Sequence, residues 1–458
     1  MPSNLVLKTD SYKLTHGAMY PEGTKGVYSY LEARRGARDD ETVFFGLQPI
    51  LDDLARGITP QDFMRAKEIS DAHMGPGIFN EEGWLRILEV HGGKLPLRIK
   101  AAPEGTVVPV GNVLMTVENT DPHLPWLTNA LESKLLHVWY PITVATSSRE
   151  VKKMLKEKLI EAGSPLDGLD FMLHDFGYRG VSSDESAAIG GAAHLVNFQG
   201  TDTLVAIEFL QDNYDADMPA FSVPATEHSV MTSLGEVGEA VLVRDLLDKY
   251  PSGILSLVGD SYDIFRFTRR IGTDFRDRVT ARDGKVVVRP DSGDPFTQVP
   301  QLLEILWECF TGTTTEKGYR VLDPHVGLLW GDGLDGPDEI EKIVVASMAA
   351  GFSPANLVFG MGGGLLQKVN RDTERFAFKC SAQKRNGVWV PIQKNPLDQS
   401  KASKPGRLAL IQTPGGFVTM PEATQEGYGH KDILQTVFEN GEVTSRTTLE
   451  EARARAAV

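Results

Sequence analysis

Arg289-Pro290-Asp291-Ser292-Gly293 follows directly on the apolar run Val286-Val287-Val288 and sets a guanidinium beside a carboxylate in one turn. An Arg there forks onto phosphate oxygens, and an Asp there takes ribose hydroxyls or a metal. The layout recurs twice. Val326-Gly327-Leu328-Leu329-Trp330 leads into Gly331-Asp332-Gly333, and Asn356-Leu357-Val358-Phe359 leads into Gly360-Met361-Gly362-Gly363-Gly364. Glycine turns let a ligand approach the backbone and leave N–H groups exposed to it. The chemistry suggested is the binding of a phosphate-bearing ligand.

Other segments carry groups of the same kind. His174-Asp175-Phe176-Gly177-Tyr178-Arg179-Gly180 offers a ring to stack on a flat heterocycle and a cation for phosphate. Asp202, in Gly200-Thr201-Asp202-Thr203, can accept from a substrate amide. His228 stands beside Glu227 before a long helical pattern and suits a nucleophile or proton carrier. The glycine run 360–364 reads as a loop opening a helix, with Arg371 about two turns along it. Each motif has a plain structural reading as well. Pro-Asp-Ser-Gly is good turn chemistry, Asp202 can cap a helix, and a lone His is more often structural. Lys394, Lys401 and Lys404 read equally as a solvated basic face.

These groups need a scaffold. Short apolar runs flanked by turns are strands buried on both faces of a parallel sheet. Candidates lie at 171–174, 195–198, 254–258, 286–288, 327–330 and 357–359, with helices at 229–247, 300–310 and 338–350 between them. Alternation at this spacing implies β-α units around a barrel, with chemistry at the C-terminal strand ends. Before it, runs at 97–101, 106–109 and 113–117 read as strands, and 126–139 as a helix. Ser147 with Glu150 reads as a capping box opening another. After 375 short strands return at 376–380, 388–391 and 407–412, and a last helix opens at Thr447 and Glu450. The expected domains are 1–167 and 375–458, together a discontinuous β-rich α+β outer domain, around a catalytic barrel at 168–374.

Bulk properties narrow the function class. A chain of 458 residues suits two or three domains. Its net charge of −15 argues against general binding to nucleic acid or anionic lipid. No run approaches the length of a membrane helix, and no secretory signal is visible, so a cytoplasmic protein is expected. Cys309 and Cys380 lack metal-type spacing and are expected as reduced thiols.

Taken in order, Asp10-Ser11-Tyr12-Lys13, Tyr28-Ser29-Tyr30-Leu31-Glu32, the stretches 139–149, 174–183, 194–203, 222–229, 260–263 and 289–293, Gly331-Asp332-Gly333 and the stretch 362–368 resemble the nicotinamide phosphoribosyltransferase family. The likeness runs nearly end to end. It implies a type II phosphoribosyltransferase fold, an irregular, half-open α/β barrel with the second domain built from both chain ends. It implies a reaction in which nicotinamide displaces diphosphate from phosphoribosyl pyrophosphate. It also implies a head-to-tail homodimer with active sites at the interface.

Residue by residue, the resemblance puts Phe176 on one face of the nicotinamide ring and Tyr12 of a second subunit on the other. Asp202 would accept from the carboxamide, which argues against the nearest rival, a nicotinate phosphoribosyltransferase. Arg179 and Arg289 would hold the phosphate end and its neighbours, Arg289 also lying next to the base, with Asp291 on the ribose hydroxyls. Gly331, Asp332, Gly362, Gly363 and Arg371 would complete that pocket. Arg34, Lys379, Lys394 and Lys401 match basic residues around diphosphate and ATP. His228 matches a histidine phosphorylated by ATP, with Asp260 and Glu227 orienting it. Mg²⁺ is expected mainly through substrate phosphates. The retained His228, Arg289, Asp291 and glycine loop argue against a non-catalytic binding or signalling homologue, and a generic phosphate-binding barrel enzyme ranks third. Met361 and Ala377 stand where hydroxyl residues are expected and remove possible phosphate hydrogen bonds, and Trp330 also differs from the polar residue expected there.

Overall fold

A computed structural model describes residues 4–394, 402–428 and 431–458. The chain divides into two compact units. The first comprises Met1–Thr146, Asp212–Ala216 and Asn370–Ala457. Its frame is an antiparallel sheet of seven strands. Thr24–Ala33 lies inside it, between Phe376–Arg385 and Val113–Asn119, and Leu97–Ala101 and Gln435–Glu439 extend the far side. Pairing of Thr24–Ala33 with Phe376–Arg385 joins the two chain ends in one unit. The short insert 212–216 belongs here because Tyr214 is buried in it. Its ring stacks on Phe45 at 4.7 Å, and its hydroxyl donates to Glu104 at 2.7 Å. Glu104 also accepts from the amides of Gly46, Leu47 and Gln48, and so satisfies the free N–H groups at the start of helix Gln48–Ala55.

The second unit comprises Ser147–Gln211 and Asp217–Val369. It holds six parallel strands: β1 (Leu173–Asp175), β2 (Gly200–Thr201), β3 (Ser252–Val258), β4 (Asp283–Arg289), β5 (Val326–Trp330) and β6 (Leu357–Met361). Their order across the sheet is β2-β1-β6-β5-β4-β3, a ring sequence broken only between β2 and β3. The segment 221–226 partly fills that gap. Phe221 exchanges backbone bonds with Gln199 and Thr201, and Pro224 and Thr226 bond to Ser256. Pro219 and Pro224 have no N–H to give, so no regular strand forms there. The result is a half-open α/β barrel.

Several expected elements are redrawn. Residues 195–198 are not a strand but the turn that ends helix Asp184–His194, and β2 follows it. A short, fully buried and mostly apolar run carries no period to distinguish the two. Ser147 opens no helix; it lies inside Trp139–Glu161, which crosses from one unit to the other. Thr143 and Thr146 bond back to the carbonyls of Trp139 and Ile142, which lets hydroxyl residues sit in mid-helix. Residues 126–139 form two short helices, Leu127–Ala130 and Glu132–Leu136. The pattern at 229–247 splits into His228–Met231 and Gly235–Lys249, and the break at Gly235 has φ of +65°. The helix expected from Pro300 begins at Pro295, capped by Asp294. The last helix, Leu449–Ala456, is capped by the pair Thr448 and Glu451, one residue later than expected. No helix among the described residues is long and apolar enough to cross a membrane.

Candidate active site

The C-terminal ends of the strands surround a cavity of about 640 Å³. Strand register sets its lining. Val258 of β3 pairs with Arg289 of β4, and Asp175 of β1 sits between Met361 of β6 and Thr201 of β2. The residues just beyond those ends line the cavity: Phe176, Asp202, Asp291, Gly331, Gly362 and Gly363, with Arg179, Glu227 and His228. With Arg289 at the end of β4, ten residues singled out from the sequence are thus gathered in one place.

Phe176 is held by backbone and by space. Its N–H donates to the Met361 carbonyl at 3.0 Å. Its ring occupies the volume that a side chain at Gly360 would fill, since a Cβ there would lie 2.0 Å from the ring; a Cβ on Gly331 would make only ordinary contact at 3.5 Å. The Arg289 guanidinium is 5.3 Å from the ring centroid, a cation–π distance. Asp202, just past β2, anchors its amide on the Asp175 carbonyl at 2.9 Å. Its Oδ1 accepts from the hydroxyl of Ser222, which lies on the segment filling the barrel gap.

His228 opens the short helix His228–Met231 and is about half exposed. Its Nε2 is 2.9 Å from Asp260 Oδ1, and Asp260 is 6% exposed, so this carboxylate is a fixed acceptor. Ser292 donates to the other Asp260 oxygen. A proton on Nε2 donates to that carboxylate, and in this tautomer the lone pair sits on Nδ1. Asp291 Oδ2 is 3.9 Å from that atom, and Asp291 Oδ1 accepts from Arg289 at 2.7 Å. Glu227 does not orient the ring; it accepts from Ser229 instead. The second carboxylate facing His228 is Asp291.

Beneath the cavity lies a group outside the expected set. Asp175 is fully buried, and burial pushes its carboxyl up to about 6 against the pull of its hydrogen bonds. The folded chain therefore holds this proton more tightly than the unfolded chain, and the contribution to stability falls as pH rises from about 4 through 6. The unfolding free energy of wild type relative to Asp175→Asn should fall by about 1–3 kcal/mol between pH 4 and 7, read from denaturant curves at each pH. A flat difference would contradict it.

Other expected residues lie elsewhere. Asp332 is exposed past β5 and does not line the cavity; its carbonyl accepts from the buried Trp330 indole at 2.6 Å. Trp330 and Met361 are core residues. Ala377 is likewise buried, in Phe376–Arg385 of the first unit. Arg371 is not on the glycine-loop helix, which spans only Gly363–Leu366; it belongs to the first unit and pairs with Asp372. Gly364 lets that helix lie against the backbone at Leu334, where a Cβ would come within 2.1 Å of the carbonyl. Lys379, also in the first unit, is held below the usual lysine range by burial and then by the charges of Arg34 and Lys394, so these three cations form one cluster. Tyr12 is 58% exposed on the 3₁₀ helix Ser11–Ala18. Lys401 lies outside the described residues. Among the described residues no group of three acidic, His or Cys side chains is placed to cage a metal.

A family model described as the nicotinate phosphoribosyltransferase family matches residues 171–442, and one described as the nicotinamide phosphoribosyltransferase N-terminal domain matches residues 4–99. A nicotinamide phosphoribosyltransferase of Xanthomonas campestris pv. campestris (strain 8004) is 46% identical, covering 99% of this chain and 98% of its own. One of Acinetobacter baylyi is 36% identical, covering 98% and 96%. The solved nicotinate-nucleotide pyrophosphorylase from Pyrococcus furiosus has a TM-score of 0.62 over 99% of this chain and 94% of that one, at 15% identity, a likeness of fold alone.

Proposed function

The chain belongs to the nicotinate phosphoribosyltransferase family, and from that premise we propose that it transfers phosphoribosyl from phosphoribosyl pyrophosphate to nicotinamide. Asp202 carries this reading. It lines the cavity beside Phe176 with one carboxylate oxygen held by Ser222, an acceptor suited to the carboxamide NH₂ of nicotinamide. The carboxylate of nicotinate would meet a like charge there.

The pyridine nitrogen attacks C1 of the ribose as the C1–O bond to diphosphate breaks. The bonding pair leaves with diphosphate, and the product is the pyridinium mononucleotide. The nucleophile needs no base, only alignment, which Phe176 supplies by stacking. Positive charge on the ribose in the transition state faces Asp291, while Arg289 and Arg179 take phosphate oxygens. Mg²⁺ would be held mainly by the diphosphate oxygens and water rather than by a cage of side chains, and would supply neutralisation of the charge on the leaving group.

His228 adds a second activity. Its Nδ1 lone pair attacks the γ-phosphorus of ATP, ADP leaves, and water later removes the phosphoryl group. Asp260 holds the ring and balances its charge. This step lends free energy to an otherwise reversible transfer. A homodimer belongs to the same reading. Val237 and Val241 are exposed four residues apart on helix Gly235–Lys249, and Val230 and Leu234 are exposed in the segment before it, apolar surface suited to a second copy. The free thiols Cys309 and Cys380 suit a reducing cytoplasm.

Purified protein with phosphoribosyl pyrophosphate, Mg²⁺ and nicotinamide should form nicotinamide mononucleotide and diphosphate, resolved by chromatography, with more product when ATP is added. No mononucleotide would refute the reading. Gly360→Ala tests the ring slot. The added methyl must push Phe176 aside, so KM for nicotinamide should rise about tenfold or more, with about 1–3 kcal/mol lost in stability. An unchanged KM would remove Phe176 from the base site.

A further inference from the structure

Two residues that flank the base in the proposed reaction, Phe176 and Asp202, come from different strands, and one buried side chain joins them. Asp175 Oδ1 accepts from the Gly177 amide at 2.7 Å, fixing the backbone just after Phe176. Its Oδ2 accepts from the Thr201 hydroxyl at 3.3 Å, and that oxygen in turn accepts from the Thr203 amide at 3.0 Å, bracketing Asp202. The Asp175 carbonyl takes the Asp202 amide at 2.9 Å. Space is cleared for this carboxylate. A Cβ on Gly177 or on Gly191 would each lie 2.9 Å from one of its oxygens. A fully buried, hydrogen-bonded carboxylate between two glycines is costly to keep for fold alone, because a neutral side chain avoids its desolvation.

We infer that Asp175 is a positioning residue for base recognition: it sets the distance between the Phe176 ring and the Asp202 carboxylate, and so selects an aromatic amide over the matching acid. It touches no substrate. The inference rests on the proposed transfer to nicotinamide and goes beyond it. Asn at 175 has nearly the same shape and its Oδ1 can still take the Gly177 amide, but its NH₂ group then donates to Thr201 Oγ1, an oxygen that already accepts from the Thr203 amide, so the bond to Thr201 is reversed and loses its charge assistance. Thr201→Val removes the same bond from the other side, and with it the acceptor of the Thr203 amide, with little change in volume.

Wild type is assayed first with phosphoribosyl pyrophosphate and each base, which tests the transfer itself. Asp175→Asn and Thr201→Val are then compared with it. Each should raise KM for nicotinamide by about tenfold, leave KM for phosphoribosyl pyrophosphate within about twofold, and lower the nicotinamide-to-nicotinate ratio of kcat/KM by about tenfold. The double variant should be little worse than either single one, as partners in one hydrogen bond are. If Asp175→Asn does not fold, Thr201→Val alone carries the same test. Equal losses toward both bases with the ratio unchanged, or a rise in both KM values together, would overturn the inference while leaving the transfer intact.

Discussion

Asp202→Asn should lower the ratio of kcat/KM for nicotinamide over nicotinate by about 10²–10³-fold, one of the two largest effects expected of a single side chain here. Two terms add. The amide substrate loses a charge-assisted hydrogen bond worth about 1.5–3 kcal/mol. The acid substrate loses a repulsion of up to about 4 kcal/mol at 4 Å and an effective dielectric near 20. Asp202 is exposed to the cavity, so water screens part of the second term, and the prediction sits below the sum. Asn keeps the side-chain shape and its amide can still bond Ser222, so the change reports charge rather than collapse of the slot. Steady-state kinetics with each base decides it, and an unchanged ratio would end the role given to Asp202.

His228→Ala should reduce ATP hydrolysis by about 10³-fold or more and erase the stimulation of transfer by ATP, while basal transfer without ATP stays within about tenfold of wild type. The separation is expected because the imidazole and the base slot share a cavity but no hydrogen bond. His228 leans on Asp260, which Ser292 steadies, whereas Phe176 and Asp202 are anchored through Asp175, Met361 and Ser222. Full ATP stimulation in this variant would take the phosphoryl step away from His228.

The barrel strands were legible because each ends in a turn whose residues have few other uses. The run into Arg289 and the run into Gly360 fall within β4 and β6 as expected. Residues 195–198 read as a strand because a buried helix end and a buried strand look alike over four buried positions, three of them apolar. Arg371 was placed on a helix that stops at Leu366, since glycine-rich sequence announces a helix start but says nothing of its length.

In the site, single-residue chemistry was readable and pairings were not. His228 and Asp260 stand 32 residues apart and meet only because β3 delivers Asp260 beside the short helix. Glu227 drew attention as a sequence neighbour, yet its backbone position points its carboxylate to Ser229. Ser222 and Ser292 were visible inside Phe221-Ser222-Val223-Pro224 and Pro290-Asp291-Ser292-Gly293, but a serine in a turn has too many ordinary uses to be singled out. Asp175 was hidden beside Phe176 because nothing in a sequence reports that a carboxylate is buried between two glycines contributed by different elements.

The most direct measurement is a one-pot competition. Wild-type protein receives phosphoribosyl pyrophosphate, Mg²⁺, ATP and equal amounts of nicotinamide and nicotinate, and mass spectrometry reads the two mononucleotides, which differ in the amide and acid groups. Nicotinamide mononucleotide should dominate, with one diphosphate released for each molecule formed. Nicotinate mononucleotide as the main product, or no mononucleotide of either kind, would contradict the assignment.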